Sequence, residues 1–306
     1  MSFRTDYILH AQHFDATQVD FNNGFDFTAH SPEDIRTLFS RVLQSGMHGL
    51  CFSMYEDGQK PGDHISEEQV RRRLKIMAPY TQWVRSFSCI EGNEFVPKIA
   101  RELGMKTLVG AWLGDDTEKN EKEIEALIQM SKDGFVDIAA VGNEVMYRKD
   151  LTEDELLAFI QRVRKETPAH IPVGYVDAYY EFTIKPRITE ACDVILTNCY
   201  PYWEGTNQEY SLSHMKSMYH QAKSVANGKQ VIITETGWPS QGESFKDSHP
   251  SEENAMKYFI NSQLWSKEEN IEMFYFSSFD ESWKVGPEGE VGAHWGIWDK
   301  NEKPKF

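Results

Sequence analysis

The sequence predicts an α/β fold, a single (β/α)8 TIM barrel with a short N-terminal extension, and three observations carry that reading. Short runs rich in Val, Ile and aromatic residues alternate with amphipathic segments along most of the chain. The rhythm repeats about eight times, the number that closes a parallel barrel. The 306 residues are long for one average domain, but a barrel of this kind usually takes about 250 residues or more.

Residues 1–45 read as an extension and first helix, and 46–306 as the barrel, with the first 30 residues packing across its bottom or side. Ser31 offers a helix N-cap, Pro32 the first helical position, and Glu33 and Asp34 two early acids. Ile35, Leu38, Phe39, Val42 and Leu43 then recur at helical spacing. Capping-box patterns start helices at Ser66 and Thr152, and further helices fit 93–103, 121–133, 211–226 and 251–266. Gly104, Gly134 and Gly228 sit where helix stops belong. Between the helices lie strands at 47–53, 82–88, 106–112, 136–142, 171–177, 194–200, 230–236 and 273–279. They are near-continuous apolar runs, as strands covered by helices should be. Repeated right-handed crossovers give either a closed barrel or an open doubly wound sheet. Eight units and no GxGxxG after the first strand favour closure. No flexible linker or composition break marks a second domain.

Composition narrows the partners. Lys and Arg number 32 against 48 Asp and Glu, a formal net charge of -16. That field repels phosphate backbones and anionic membranes, so neither nucleic acid nor membrane is expected as a partner. A neutral polysaccharide carries no such penalty. Cys51, Cys89, Cys192 and Cys199 form no CxxC pair, and three of them lie in or beside apolar runs, as buried free thiols do. The ten histidines show no HExxH, so no metal and no cofactor are expected. No GxSxG elbow surrounds Ser53, Ser86 or Ser277, against a serine hydrolase. The N-terminus has no signal-peptide pattern and no run of 18 apolar residues occurs. The chain as written reads as cytoplasmic, or as secreted or periplasmic with its leader removed, and as a monomer.

Barrels of this kind do their chemistry at the C-terminal ends of their strands. The fourth strand ends VDIAAVGNEV, delivering Asn143 and Glu144; the seventh ends VIITETGWPS, delivering Glu235 before Gly237 and Trp238. One acid at a strand end is more often a cap or an ion-pair residue. Two on strands that face each other across the barrel mouth suit glycosidic cleavage, where one carboxyl gives a proton and the other attacks the anomeric carbon. Carboxyls about 5–5.5 Å apart would mean retention, and about 6.5–9.5 Å inversion.

VGNEV at 141–145 and ITETGWPS at 233–240 resemble the two signature segments of glycoside hydrolase family 17, which acts chiefly on β-1,3-glucans. FSMYEDGQKPG, WVRSFSC, KTLVGAWLG, NCYPYWE and HWGIWDKNEKPK are similar to other family segments, and only residues 1–45 lack a counterpart. The likeness implies a retaining enzyme with Glu144 as acid/base and Glu235 as nucleophile. It further implies that Asn143 bonds the sugar 2-OH, that Arg85 orients and keeps ionised Glu235, and that Glu281 and Lys284 support the acid/base. Tyr-Trp-Glu at 202–204 reads like the bacterial branch, some of whose members transfer glucan or trim chain ends.

Sugars have C–H faces and an O–H rim, so binding sites pair aromatic surfaces with polar groups. Tyr55, Asp177, Tyr180, Tyr200, Tyr202, Trp203, Glu204, Trp238 and Trp283 lie on loops after strands and are read as such a shell. The expected function is retaining hydrolysis of laminarin-type β-1,3-glucan by double displacement, endo rather than exo. The alternatives are a β-1,3-glucanosyltransferase or exo-glucanase using the same two acids, and a non-catalytic glucan-binding barrel.

Overall fold

A computed structural model describes residues 24–306. Eight parallel strands close on themselves in sequence order, the first pairing with the last. They are β1 (Met47–Cys51), β2 (Thr81–Ser86), β3 (Lys106–Ala111), β4 (Ile138–Asn143), β5 (Val173–Ala178), β6 (Val194–Asn198), β7 (Gln230–Thr236) and β8 (Met273–Tyr275). The predicted barrel is therefore present, and every strand lies within two residues of its expected start.

β8 is the strand that stops short. It was expected to run to 279, but regular pairing ends at Tyr275: Phe276 and Ser278 still donate to Thr236 of β7 and Cys51 of β1, while Ser277 between them pairs with the C-terminal segment. Ser277 donates its N–H to Trp295 and accepts one from Ile297, both at 3.0 Å. The same apolar, β-favouring residues serve either pairing.

The outer helices start where their caps dictate. α1 (Pro32–Gln44) is closed by a reciprocal Ser31–Asp34 capping box, α2 (Glu67–Met77) by Ser66 alone, and α3 is Phe95–Glu102. α4 (Thr117–Lys132) begins four residues before its expected start, because the Asp116 carboxylate accepts the Lys119 N–H. After β4 come a single turn, α5 (Val145–Arg148), and α6 (Glu153–Glu166), which carries the Thr152–Glu155 box. Two short helices, α7 (Glu181–Ile184) and α8 (Pro186–Ala191), follow β5. α9 (Ser211–Val225) and α10 (Glu252–Glu268) follow β6 and β7.

No long outer helix follows β8, and α1 lies against α10 on the flank such a helix would cover. Phe39 packs on Phe259 and Phe306 at ring separations of 4.7 and 4.9 Å, and Phe25 donates its N–H to Asn261 at 2.8 Å. The described part of the first 45 residues thus lies on the barrel's side. The expected packing of the residues before Gly24 lies outside the described residues. All four cysteines are free and buried, Cys51, Cys89 and Cys199 as their apolar neighbourhoods predicted and Cys192 as well. No described helix is long and apolar enough to cross a membrane.

Candidate active site

Two unusual strand ends aim the acids. At Gly142 the backbone turns left-handed, φ +88°, and a Cβ there would meet Val145 at 2.8 Å. Glu144 follows, itself left-handed at φ 51° and ψ 31°, and its N–H is held by the Val176 carbonyl at 2.8 Å. On β7, Glu235 stands opposite Asn198 of β6 in the strand register. The next turn needs Gly237, where a Cβ would run into the Phe276 carbonyl at 2.1 Å.

One amide joins the two carboxylates. Asn198 Nδ2 donates to Glu144 Oε1 at 2.9 Å and to Glu235 Oε1 at 3.1 Å. Its Oδ1 accepts from Thr234 at 2.9 Å, which fixes the NH2 toward the acids. With one nitrogen shared, the two acceptor oxygens lie no farther apart than the two bonds added, about 6 Å. Glu235 takes two more donors, Arg85 Nη1 at 2.8 Å and the Tyr200 hydroxyl at 2.8 Å. Arg85 is buried, stacks 4.1 Å over Phe87 and gives its second nitrogen to Asn143 Oδ1 at 2.7 Å. That leaves the Asn143 NH2 as the group its side chain can present to a ligand.

Burial above all, and then the charge of Glu235, push the Glu144 carboxyl up to about 7, against opposing pulls from the Asn198 bond and from Arg148 and Arg85. Glu144 is thus an acid that holds its proton near neutrality, beside a second carboxyl that receives three donors. The cleft around them has a volume of about 410 Å³, within the range of roughly 300–1,000 Å³ usual for ligand sites. Its walls are strongly aromatic: Tyr55, Phe87, Trp112, Tyr200, Trp203, Phe276, Trp283 and Trp295. Among the described residues no group of His, Cys, Asp and Glu is arranged to hold a metal.

Of the sequence-predicted residues, Asn143, Tyr55, Tyr200, Trp203, Glu281, Lys284 and Trp283 line this cleft with the two acids, and Arg85 lies directly beneath. Five others do not reach it. Asp177 is fully buried behind the strand wall, bonded to Tyr175 and to the Ala178 N–H. Tyr202 packs edge-on against Trp203, Trp238 and Trp295, its hydroxyl on the Glu243 carbonyl. Glu204 is an internal anchor, 2.8 Å from His214 and 2.9 Å from the Tyr179 hydroxyl. Trp238 is 1% exposed, packed on Tyr202 and Tyr258 with its N–H on the His249 carbonyl. Tyr180, also expected in the shell, is buried too.

Trp238 therefore serves the core. Trp238→Ala is expected to cost about 3–5 kcal/mol of stability, the usual range for deleting a buried Trp. Urea denaturation measures it, and a fully stable Trp238→Ala protein with a raised KM would contradict this placement.

Glu281 and Lys284, expected to support the acid/base, stand on the Glu235 side of the cleft. These two pair at 2.7 Å, with Lys284 lying 4.1 Å over Phe276, and the ammonium acts on Glu281, Glu288 and Glu235. The cations that act on Glu144 are instead Arg148 and Arg85. Asn198, Arg148, Glu288 and Trp295 were not anticipated. Asn198 had the same signal as the two acids, a polar residue ending the apolar run VILTN.

A closed barrel with an acid held protonated near neutrality, next to a second carboxylate in an aromatic cleft, defines a glycoside hydrolase. Residues 49–296 match the BtgE/BtgC glycoside hydrolase domain, and the chain belongs to that family. Glucan 1,3-beta-glucosidase BGL2 of Candida albicans is 30% identical over 258 residues, 76% of this chain and 83% of that protein. The glucan 1,3-beta-glucosidase of Saccharomyces cerevisiae is 25% identical over 294 residues, 88% of this chain and 93% of its own. Among solved structures, the glycoside hydrolase family 17 beta-1,3-glucanosyltransferase of Rhizomucor miehei aligns with a TM-score of 0.75 at 29% identity. That alignment covers 86% of this chain and 96% of the other. These relatives are fungal, so the bacterial-branch character read from Tyr-Trp-Glu finds no support in them.

Proposed function

We propose that the protein cleaves β-1,3-glucan with retention, Glu235 acting as nucleophile and Glu144 as acid/base. The observation that carries this reading is the single Asn198 amide bonded to both carboxylates. The spacing it imposes lies below the about 6.5–9.5 Å of inverting enzymes, which must fit a water between their acids. In the first step a Glu235 oxygen attacks the anomeric carbon, the glycosidic C–O bond breaks, and the Glu144 proton goes to the departing oxygen. A glycosyl ester on Glu235 and an ionised Glu144 remain. In the second step Glu144 takes the proton of an incoming hydroxyl, whose oxygen attacks the anomeric carbon and releases Glu235. Arg85 and Tyr200 hold Glu235 in line, and the Asn143 NH2 bonds the sugar 2-OH, a contact that strengthens in the oxocarbenium-like transition state. β-1,3-Glucan is the substrate because the similar glucosidases are named for it and a Rhizomucor miehei neighbour was solved with laminaritriose.

Transfer to a second sugar is the other reading, and the aromatic walls favour it. Trp112 and Trp203 offer C–H stacking faces where an acceptor sugar can displace water. Incubation with laminaripentaose tests both readings. NMR is expected to find the β-anomer as the first-formed product; an α-anomer would overturn retention. Products longer than the substrate identify transfer, and shorter ones alone identify hydrolysis. Polymer viscosity that falls ahead of reducing-sugar release identifies endo action.

A further inference from the structure

Glu144 sits in a left-handed conformation that side-chain-bearing residues avoid, and something must hold it there. Arg148, one helical turn on, folds its side chain back over that turn. One guanidinium nitrogen bonds the carbonyl of Asn143, the residue immediately before Glu144. A second bonds the Leu113 carbonyl beyond β3 at 2.8 Å, and Nε pairs with Asp150 at 2.7 Å. The flat face of the guanidinium lies 4.4 Å from the Trp112 ring on the cleft wall. All three guanidinium nitrogens donate and one face is used, a combination that the planar fork of arginine allows and an ammonium does not.

We propose that Arg148 is a positioning residue for the acid/base: it locks the turn that aims Glu144 and sets a fixed positive charge beside its carboxyl. This rests on the reading of Glu144 given above. The charged and titratable groups around Glu144 are Glu235 on β7, Arg85 on β2, Asp177 and Tyr180 at the end of β5, Tyr200 after β6, and Arg148. Arg85 is already committed to Glu235 and Asn143. Arg148 is thus the cation whose removal changes the surroundings of Glu144 while leaving the nucleophile's donors in place.

Arg148→Gln and Arg148→Lys test the role, assayed on laminari-oligosaccharides and on a 2,4-dinitrophenyl laminarioside. The activated leaving group departs without a proton, so its kcat/KM does not depend on the acid. Arg148→Gln is expected to lower kcat/KM on the oligosaccharide by ~10–100-fold, part of what a positioned general acid supplies. The dinitrophenyl substrate is expected to lose clearly less, because its glycosylation needs no proton from Glu144. With a positive neighbour gone, Glu144 holds its proton to higher pH, so the basic limb of the oligosaccharide profile moves up. Arg148→Lys is expected to return the limb toward its wild-type place without restoring the rate, because an ammonium lacks the fork. Equal losses on both substrates with an unmoved limb overturn the proposal and leave Arg148 a structural residue. Should Arg148→Gln fail to fold, Arg148→Lys carries the same comparison, and equal losses on both substrates again overturn it. A Glu144→Gln enzyme that keeps its oligosaccharide activity marks failure of the Glu144 reading instead.

Discussion

Glu235→Gln is expected to lower kcat on β-1,3-glucan by on the order of 10⁴-fold or more, the scale seen when a catalytic nucleophile is removed. The amide is nearly the shape of the carboxylate and sits among the same neighbours, but it carries no charge with which to form the glycosyl ester. Arg85 and Tyr200, both aimed at this side chain, would then lack a charged partner without losing their places, because Arg85 is also held by Asn143 and by the Phe87 ring. The protein is therefore expected to stay folded and to keep its affinity for laminari-oligosaccharides. Reducing-sugar release measures the first effect and calorimetric titration the second. A variant within about tenfold of wild type would remove Glu235 from the chemistry, since that corresponds to only about 1.4 kcal/mol of barrier.

The second large effect belongs to Glu144. Glu144→Gln is expected to lower kcat/KM on unactivated glucan by about 10²–10⁴-fold, the usual worth of a general acid. The same assignment fixes the sign of the pH profile. The carboxyl is pushed up to about 7, first by burial and then by Glu235, and only its protonated form serves the leaving oxygen. Activity should therefore be full below that value and fall as pH rises through it. In Glu144→Gln the basic limb should vanish. Added azide should restore turnover of the glycosyl ester formed from an activated aryl glycoside and yield a β-glycosyl azide, because a small anion needs no base. An unchanged basic limb in the variant would assign the titration to another group.

The rule that located the site also explains where it misled. A polar residue closing an apolar strand is visible in sequence, and it singled out Glu144 and Glu235, the two carboxyls that Asn198 joins. Which way such a residue points depends on strand parity and register, and a one-residue change of phase exchanges the two faces. Asp177 and Asn198 illustrate this. On β5 and β6, Ala178 stands beside Asn198 and Asp177 beside Thr197. Asn198 reaches the two acids, so Ala178 shares the inner face while Asp177 shares the outer one with Tyr175, which it bonds. The sequence contained both residues but not the register that sorts them. Aromatic residues beyond the strand ends raise the same difficulty in the loops. Tyr202 and Trp203 are adjacent, yet one is wedged under Trp238 and Trp295 and the other faces the cleft. Helix starts were easier to read, because a cap is a local event: Ser31 and Thr152 bond residues three positions on. The end of β8 was harder, since its competing partner lies about twenty residues away in the C-terminal segment.

The most direct test is to trap the sugar on the enzyme. A 2-deoxy-2-fluoro laminarioside bearing a good leaving group should form its ester faster than it loses it, and intact-mass spectrometry should show one added glycosyl unit as activity disappears. Peptide mapping is expected to find the label on Glu235, in the segment Val231–Trp238. Inactivation with the label on Glu144 or any other acid, or steady turnover with no adduct and an inverted product, would contradict the paired-carboxylate account.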